Sequence, residues 1–75
     1  MSYYDRKLKT IIENDNELLS FYNDLMENIN IGYTFVISEK KLLISNLLLI
    51  SLEDKGYNNI VFNIEENEGY IILLN

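Results

Sequence analysis

Within residues 10–39 the chain carries six carboxylates and no lysine or arginine. Four of them, Glu13, Glu17, Asp24 and Glu27, follow one another at steps of four, seven and three residues. On a helix that spacing lines them up along one outer face, with Asp15 nearby. The chemistry open to such a row is ionic. It repels nucleic acid and anionic membrane and attracts a surface of lysines and arginines. Charges at helical spacing ordinarily mark a solvated face. Here Arg6, Lys7 and Lys9 stand at the amino end of the segment and Asp24 and Glu27 at its carboxyl end. That order opposes the helix dipole, at about 0.3–1 kcal/mol per misplaced charge. Glu13 and Glu17 also repel at i, i+4. Stability alone would not select this arrangement, whereas a basic protein partner would.

Catalytic chemistry has few means here. Without histidine or cysteine the chain has no imidazole base, no thiolate nucleophile and no soft metal ligand set. Glu65, Glu66 and Glu68 offer an acid pair or a hard-cation site on paper, but their spacing matches no calcium loop and suits a solvated turn. Gly32, Gly56 and Gly69 stand apart, so no phosphate-cradling loop is present. The expectation is a non-enzymatic protein with no cofactor and no metal. Twelve acidic against six basic residues, net −6, also argue against direct nucleic-acid binding.

The elements that must position these residues belong to one domain. Seventy-five residues lie near the lower limit for a core without disulfides or metal. An apolar share of 48% offsets the small size and excludes disorder. Ala, Pro, His, Cys, Trp and Gln are missing and Asn occurs eleven times, which fits the AT-rich codons of a low-GC bacterium or its mobile elements. The opening Met-Ser-Tyr-Tyr-Asp-Arg lacks an apolar leader. The greasiest run, residues 42–52, is interrupted by Ser45 and Asn46 and falls short of the roughly 20 residues a bilayer needs. A cytoplasmic protein that meets no membrane is expected.

Residues 3–29 read as a long amphipathic helix, with Tyr4, Leu8, Ile11, Leu18, Tyr22, Leu25 and Ile29 keeping a four-three step. Asp15 interrupts the stripe. The unbroken apolar phase favours a continuous or gently kinked helix; the alternative is a break at Asn14-Asp15-Asn16, with Asn14 capping a new helix. Residues 31–38 are strand-like, with Tyr33, Phe35 and Ile37 on one face. Ser38 caps a helix that runs to Lys55 and stops at Gly56. Strands at 59–65 and 69–74 follow, joined by Glu66-Asn67-Glu68. The order is α-β-α-β-β, an α+β fold with a small, mostly antiparallel three-stranded sheet. Its C-terminal strand, apolar on both faces, belongs in the centre. A rival reading turns residues 41–52 into two strands of a five-stranded meander.

The helix at 39–55 is hydrophobic nearly all round and needs cover on more than one side. The first helix and the sheet can supply it. Self-association, through this helix or through an open sheet face of Val36, Val61, Ile71 and Leu73, is the alternative, so a homodimer stays open. Tyr22, Tyr33 and Tyr57 suit the core edge, and Tyr3 and Tyr4 are freer to meet a partner.

In size, charge and organisation the chain resembles the small, acidic, cysteine-poor inhibitors encoded by phages of low-GC bacteria, anti-CRISPR proteins being the best-known group. That resemblance implies a protein that blocks a basic nucleic-acid-binding site of a host enzyme. Glu13, Asp15, Glu17, Asp24 and Glu27 are the partner-binding candidates. The alternative is an antitoxin, immunity protein or regulatory adaptor that binds through an apolar surface.

Overall fold

In a computed structural model, which describes residues 2–74, the chain opens a helix at its first capping side chain. Ser2 Oγ accepts the Asp5 N–H at 3.2 Å and starts α1 (Tyr3–Glu13). The helix does not continue through residue 15. Asn14 ends α1 at φ −99°, ψ 6°, and its amide donates to the Thr10 carbonyl. Asp15 is extended, and its carboxylate accepts the N–H groups of Glu17 and Leu18 at 3.1 and 3.2 Å, opening α2 (Asn16–Asn28). Of the two readings of residues 3–29 the broken helix is the observed one, with Asp15 and not Asn14 as its cap. Short Asn and Asp side chains compete for backbone hydrogen bonds, and here that competition wins over an intact apolar stripe.

Tyr33–Val36 form β1, shorter than the expected 31–38. Ser38 Oγ accepts from Lys41 N–H and opens α3 (Glu39–Asp54), so residues 41–52 are helix and the five-stranded meander is excluded. Gly56, at φ +96°, ends it: the Gly56 N–H reaches Glu53 O and the Tyr57 N–H reaches Leu52 O, a Schellman stop. β2 (Ile60–Glu65) and β3 (Glu68–Leu73) then form a hairpin. The sheet order is β1-β3-β2, antiparallel throughout, with the C-terminal strand central as expected. The fold is α+β in the order α-α-β-α-β-β, one helix more than the sequence reading because of the break. No helix among the described residues is long and apolar enough to cross a membrane.

The register decides which sheet face is buried. Ile71 lies opposite Tyr33 and Phe62, and Gly69 lies opposite Phe35. These residues face the helices, with Leu73 and Ile60 beside them. Ile71 and Leu73 are therefore core residues and not part of an open face, as they would be if the strand were turned over. Leu25, Ile44 and Ile71 are fully buried, and the Phe21 ring meets Phe35 edge-on at 4.9 Å. α3 takes its cover mainly from α1 and α2 and shares one core cluster with Phe35 and Ile71 of the sheet: Ile44, Leu47, Leu48 and Leu52 are buried, while Leu43 and Ile50 remain exposed. Two polar links at opposite ends make α1 and α3 antiparallel. Asp5 accepts from Ser51 and Lys55, and Asp15 pairs with Lys40 at 3.2 Å.

Gly32 turns the chain from α2 into β1 at φ +103°, and a Cβ there would run into the Tyr70 ring and hydroxyl. Gly32→Ala meets both a left-handed backbone and a filled space. A loss of about 1–3 kcal/mol is expected, read as a lower urea midpoint at unchanged m-value.

Candidate protein-binding surface

Glu13, Glu17, Asp24 and Glu27 were expected to form one row with Asp15 nearby, and the structure divides them. Glu13 closes α1 and lies 3.8 Å from Lys9 one turn earlier, both side chains well exposed. Pairs of this kind are weak. Asp15 is engaged three ways, by two backbone N–H groups and by Lys40. Its carboxyl is held below the usual carboxylate range, first by the Leu18 N–H and then by Lys40. It serves as cap and strut, which composition alone could not distinguish from an open charge.

Glu17, Asp24 and Glu27 remain. All three are exposed on α2 and share its outer side at steps of seven and three residues. None forms an ion pair among the described residues, where ion pairs involve only Asp5, Glu13 and Asp15. Most of the cations are meanwhile engaged internally. Lys9, Lys40 and Lys55 are in those pairs, and Lys41 and Lys7 lie over the Phe21 and Tyr3 rings. The helix break thus concentrates the row on one 13-residue helix. Neither α1 nor α2 has a basic residue in its last turn, so Asp24 and Glu27 still oppose the dipole of a helix that now ends at Asn28.

Two neighbours shape this surface. Tyr33 sits half-buried under Asp24, and partial burial, with the Asp24 charge second, pushes its phenol above the ordinary tyrosine value. At the start of α2, the break leaves an apolar notch of ≈ 320 Å³ lined by Ile11, Leu18 and Leu43, with the Asp15–Lys40 pair at its rim. The sequence reading missed this notch because it exists only where the two helices separate. Its one signal was the Asn14-Asp15-Asn16 triplet. Among the described residues no group of three carboxylates is placed to hold a metal ion, Glu65, Glu66 and Glu68 included.

Asp5 and Asp15 link this architecture to pH. The Ser51 hydroxyl is the main cause holding the Asp5 carboxyl low, as the Leu18 N–H is for Asp15. A carboxylate whose folded pKa is depressed stabilises the fold above its unfolded value, about 3.9, and that contribution is lost as pH falls through the folded pKa. Thermal melts of Asp15→Asn, which keeps a capping oxygen but not the charge, should therefore lose less stability than wild type between about pH 5 and pH 2. Parallel curves would show that the Lys40 and cap contacts do not depend on charge.

No protein-family model, curated protein or solved structure matches this chain.

Proposed function

We infer that the chain is a non-enzymatic inhibitor, encoded by a phage or mobile element. It acts in the host cytoplasm by occupying a basic nucleic-acid-binding site of a host enzyme with the outer face of α2. One observation carries this reading: Glu17, Asp24 and Glu27 stand exposed and unpaired among the described residues, in a stretch without cations, while the lysines elsewhere are largely engaged. Carboxylates at this spacing stand in for phosphates and make salt-sensitive pairs with lysine and arginine. Glu13 contributes at the margin through its exposed pair with Lys9. Asp15 acts indirectly, by fixing where α2 begins.

The test is affinity capture on the full chain from host lysate with a salt gradient. Elution of a nucleic-acid-handling enzyme at moderate salt, with the enzyme's own oligonucleotide substrate competing for it, is the expected result. Capture that resists high salt and ignores oligonucleotide would replace this reading with the adaptor or antitoxin alternative.

A further inference from the structure

The sheet carries helices on one side only, and its other side has a graded surface of its own. Three cross-strand rows follow from the register. Val61 and Ile72 pair at one end, and Tyr70 lies between Asn63 and Thr34 in the middle. Glu65 and Glu68 face each other at the hairpin end, with Glu66 in the turn. Val36 and Tyr70 are exposed, and Val61 and Ile72 are only half-covered. The acidic end is hollowed into a groove of ≈ 470 Å³ lined by Thr34, Asn63, Tyr70 and the three glutamates.

Local stability does not account for this acidic end. Like charges placed directly opposite on neighbouring strands are unfavourable. Glu66 additionally holds a left-handed backbone at φ 53°, a conformation that glycine or asparagine takes more readily. No lysine or arginine lies on the three strands or the turn to offset these charges.

We propose that this outer face docks a basic amphipathic helix of a partner protein. The apolar stripe of that helix lies on Val61, Ile72 and Tyr70, and its lysines or arginines lie over Glu65, Glu66 and Glu68. Rows four residues apart along a strand are about 13 Å apart, so a helix about 10–12 Å across that lies over the strands covers the apolar row and reaches the glutamates with its flanking cations. A cation entering the groove meets the carboxylates of its three glutamates and the Tyr70 ring. A second copy of the chain is the poorer occupant, because it would bring an identical face with no cation to pair with the glutamates. This surface is built from the sheet and is separate from the α2 carboxylates, so it does not depend on the reading given above.

The probe is a synthetic lysine–leucine peptide of roughly 20 residues with helical apolar periodicity, compared with its scrambled isomer of equal charge. It is titrated into the ¹⁵N-labelled full chain. The amphipathic peptide should shift the amides of Val61, Asn63, Glu65, Tyr70 and Ile72, and the scrambled one should bind about tenfold more weakly or less. Glu65→Gln with Glu68→Gln, which removes the repulsive pair and so keeps the fold, should weaken binding by about tenfold or more and flatten its salt dependence. Ile72→Asn, a neutral substitution, should weaken binding by about tenfold while leaving its salt dependence unchanged. Glu17→Lys with Asp24→Lys should leave this binding within about twofold. Shifts confined to α2, or equal response to both peptides, would overturn the proposal. So would shifts at the same sheet residues that grow with protein concentration before any peptide is added, since a second copy would then be the occupant.

Discussion

Ile71→Ala should bring the protein close to unfolding, with a loss of about 3–4 kcal/mol. Ile71 is fully buried on the central strand, opposite Tyr33 and Phe62, so the hole left behind is walled on both sides by neighbouring strands and roofed by the helices. A site fixed by backbone pairing on two sides relaxes little, and the cavity contribution stays large. A domain of this length holds about 4–11 kcal/mol in total, so the substitution removes roughly a quarter of it or more. At a urea m-value near 1 kcal/mol/M, the midpoint should fall by about 3 M. Ile31→Ala is the matched control: Ile31 is 78% exposed, and a change within about 0.5 kcal/mol is expected. Ile72→Ala, on the outer face, should fall between the two. The comparison tests the register itself, because a slip by one residue exchanges every side chain between faces. A severe Ile72→Ala beside a mild Ile71→Ala would mean that the strand is paired the other way round.

That strand also shows what the sequence reveals and what it hides. Its central place was legible, because Tyr70 to Leu74 is apolar on both faces and only a strand flanked on both sides uses such a pattern. Its orientation was not, since Ile71, Ile72 and Leu73 in succession carry no alternation to read. Gly69 resolves it, as its missing side chain leaves room for the Phe35 ring. α3 was legible at both ends, from Ser38 and from Gly56, because a capping hydroxyl and a left-handed glycine are local chemistry. The break between α1 and α2 was harder. Leu8, Ile11 and Leu18 keep the helical phase across it, so periodicity alone points to one rod. The short polar side chains of Asn14 and Asp15 decide otherwise by taking backbone groups for themselves. The candidate surface inherits that uncertainty. Glu17, Asp24 and Glu27 keep their place because they lie within one helix, while Asp15 is drawn into a structural role that its residue type permits equally well.

The strongest test of the α2 surface comes from reversing its charges one at a time, because stability and binding should then part in a defined pattern. Glu27→Lys and Asp24→Lys place cations near the carboxyl end of α2, where the helix dipole favours them. Each should raise stability by about 0.3–1 kcal/mol, which in a domain of this size lifts the melting temperature by a few degrees. Glu17 stands in the first turn, where its charge is favourable, so Glu17→Lys should lower stability by a similar amount. Binding to the captured basic partner should fall in all three. The double reversal of Glu17 and Asp24 should weaken it by about 100-fold or more, roughly tenfold for each carboxylate turned against a lysine or arginine surface. Asp24→Lys has a further signature: with its charge gone, the Tyr33 phenol should titrate at lower pH, followed by its absorbance as phenolate. A face selected only for solvation would gain stability at residues 24 and 27 and lose nothing in binding. Two substitutions that make the fold firmer while abolishing its association would show that the wild-type charges are kept for the partner.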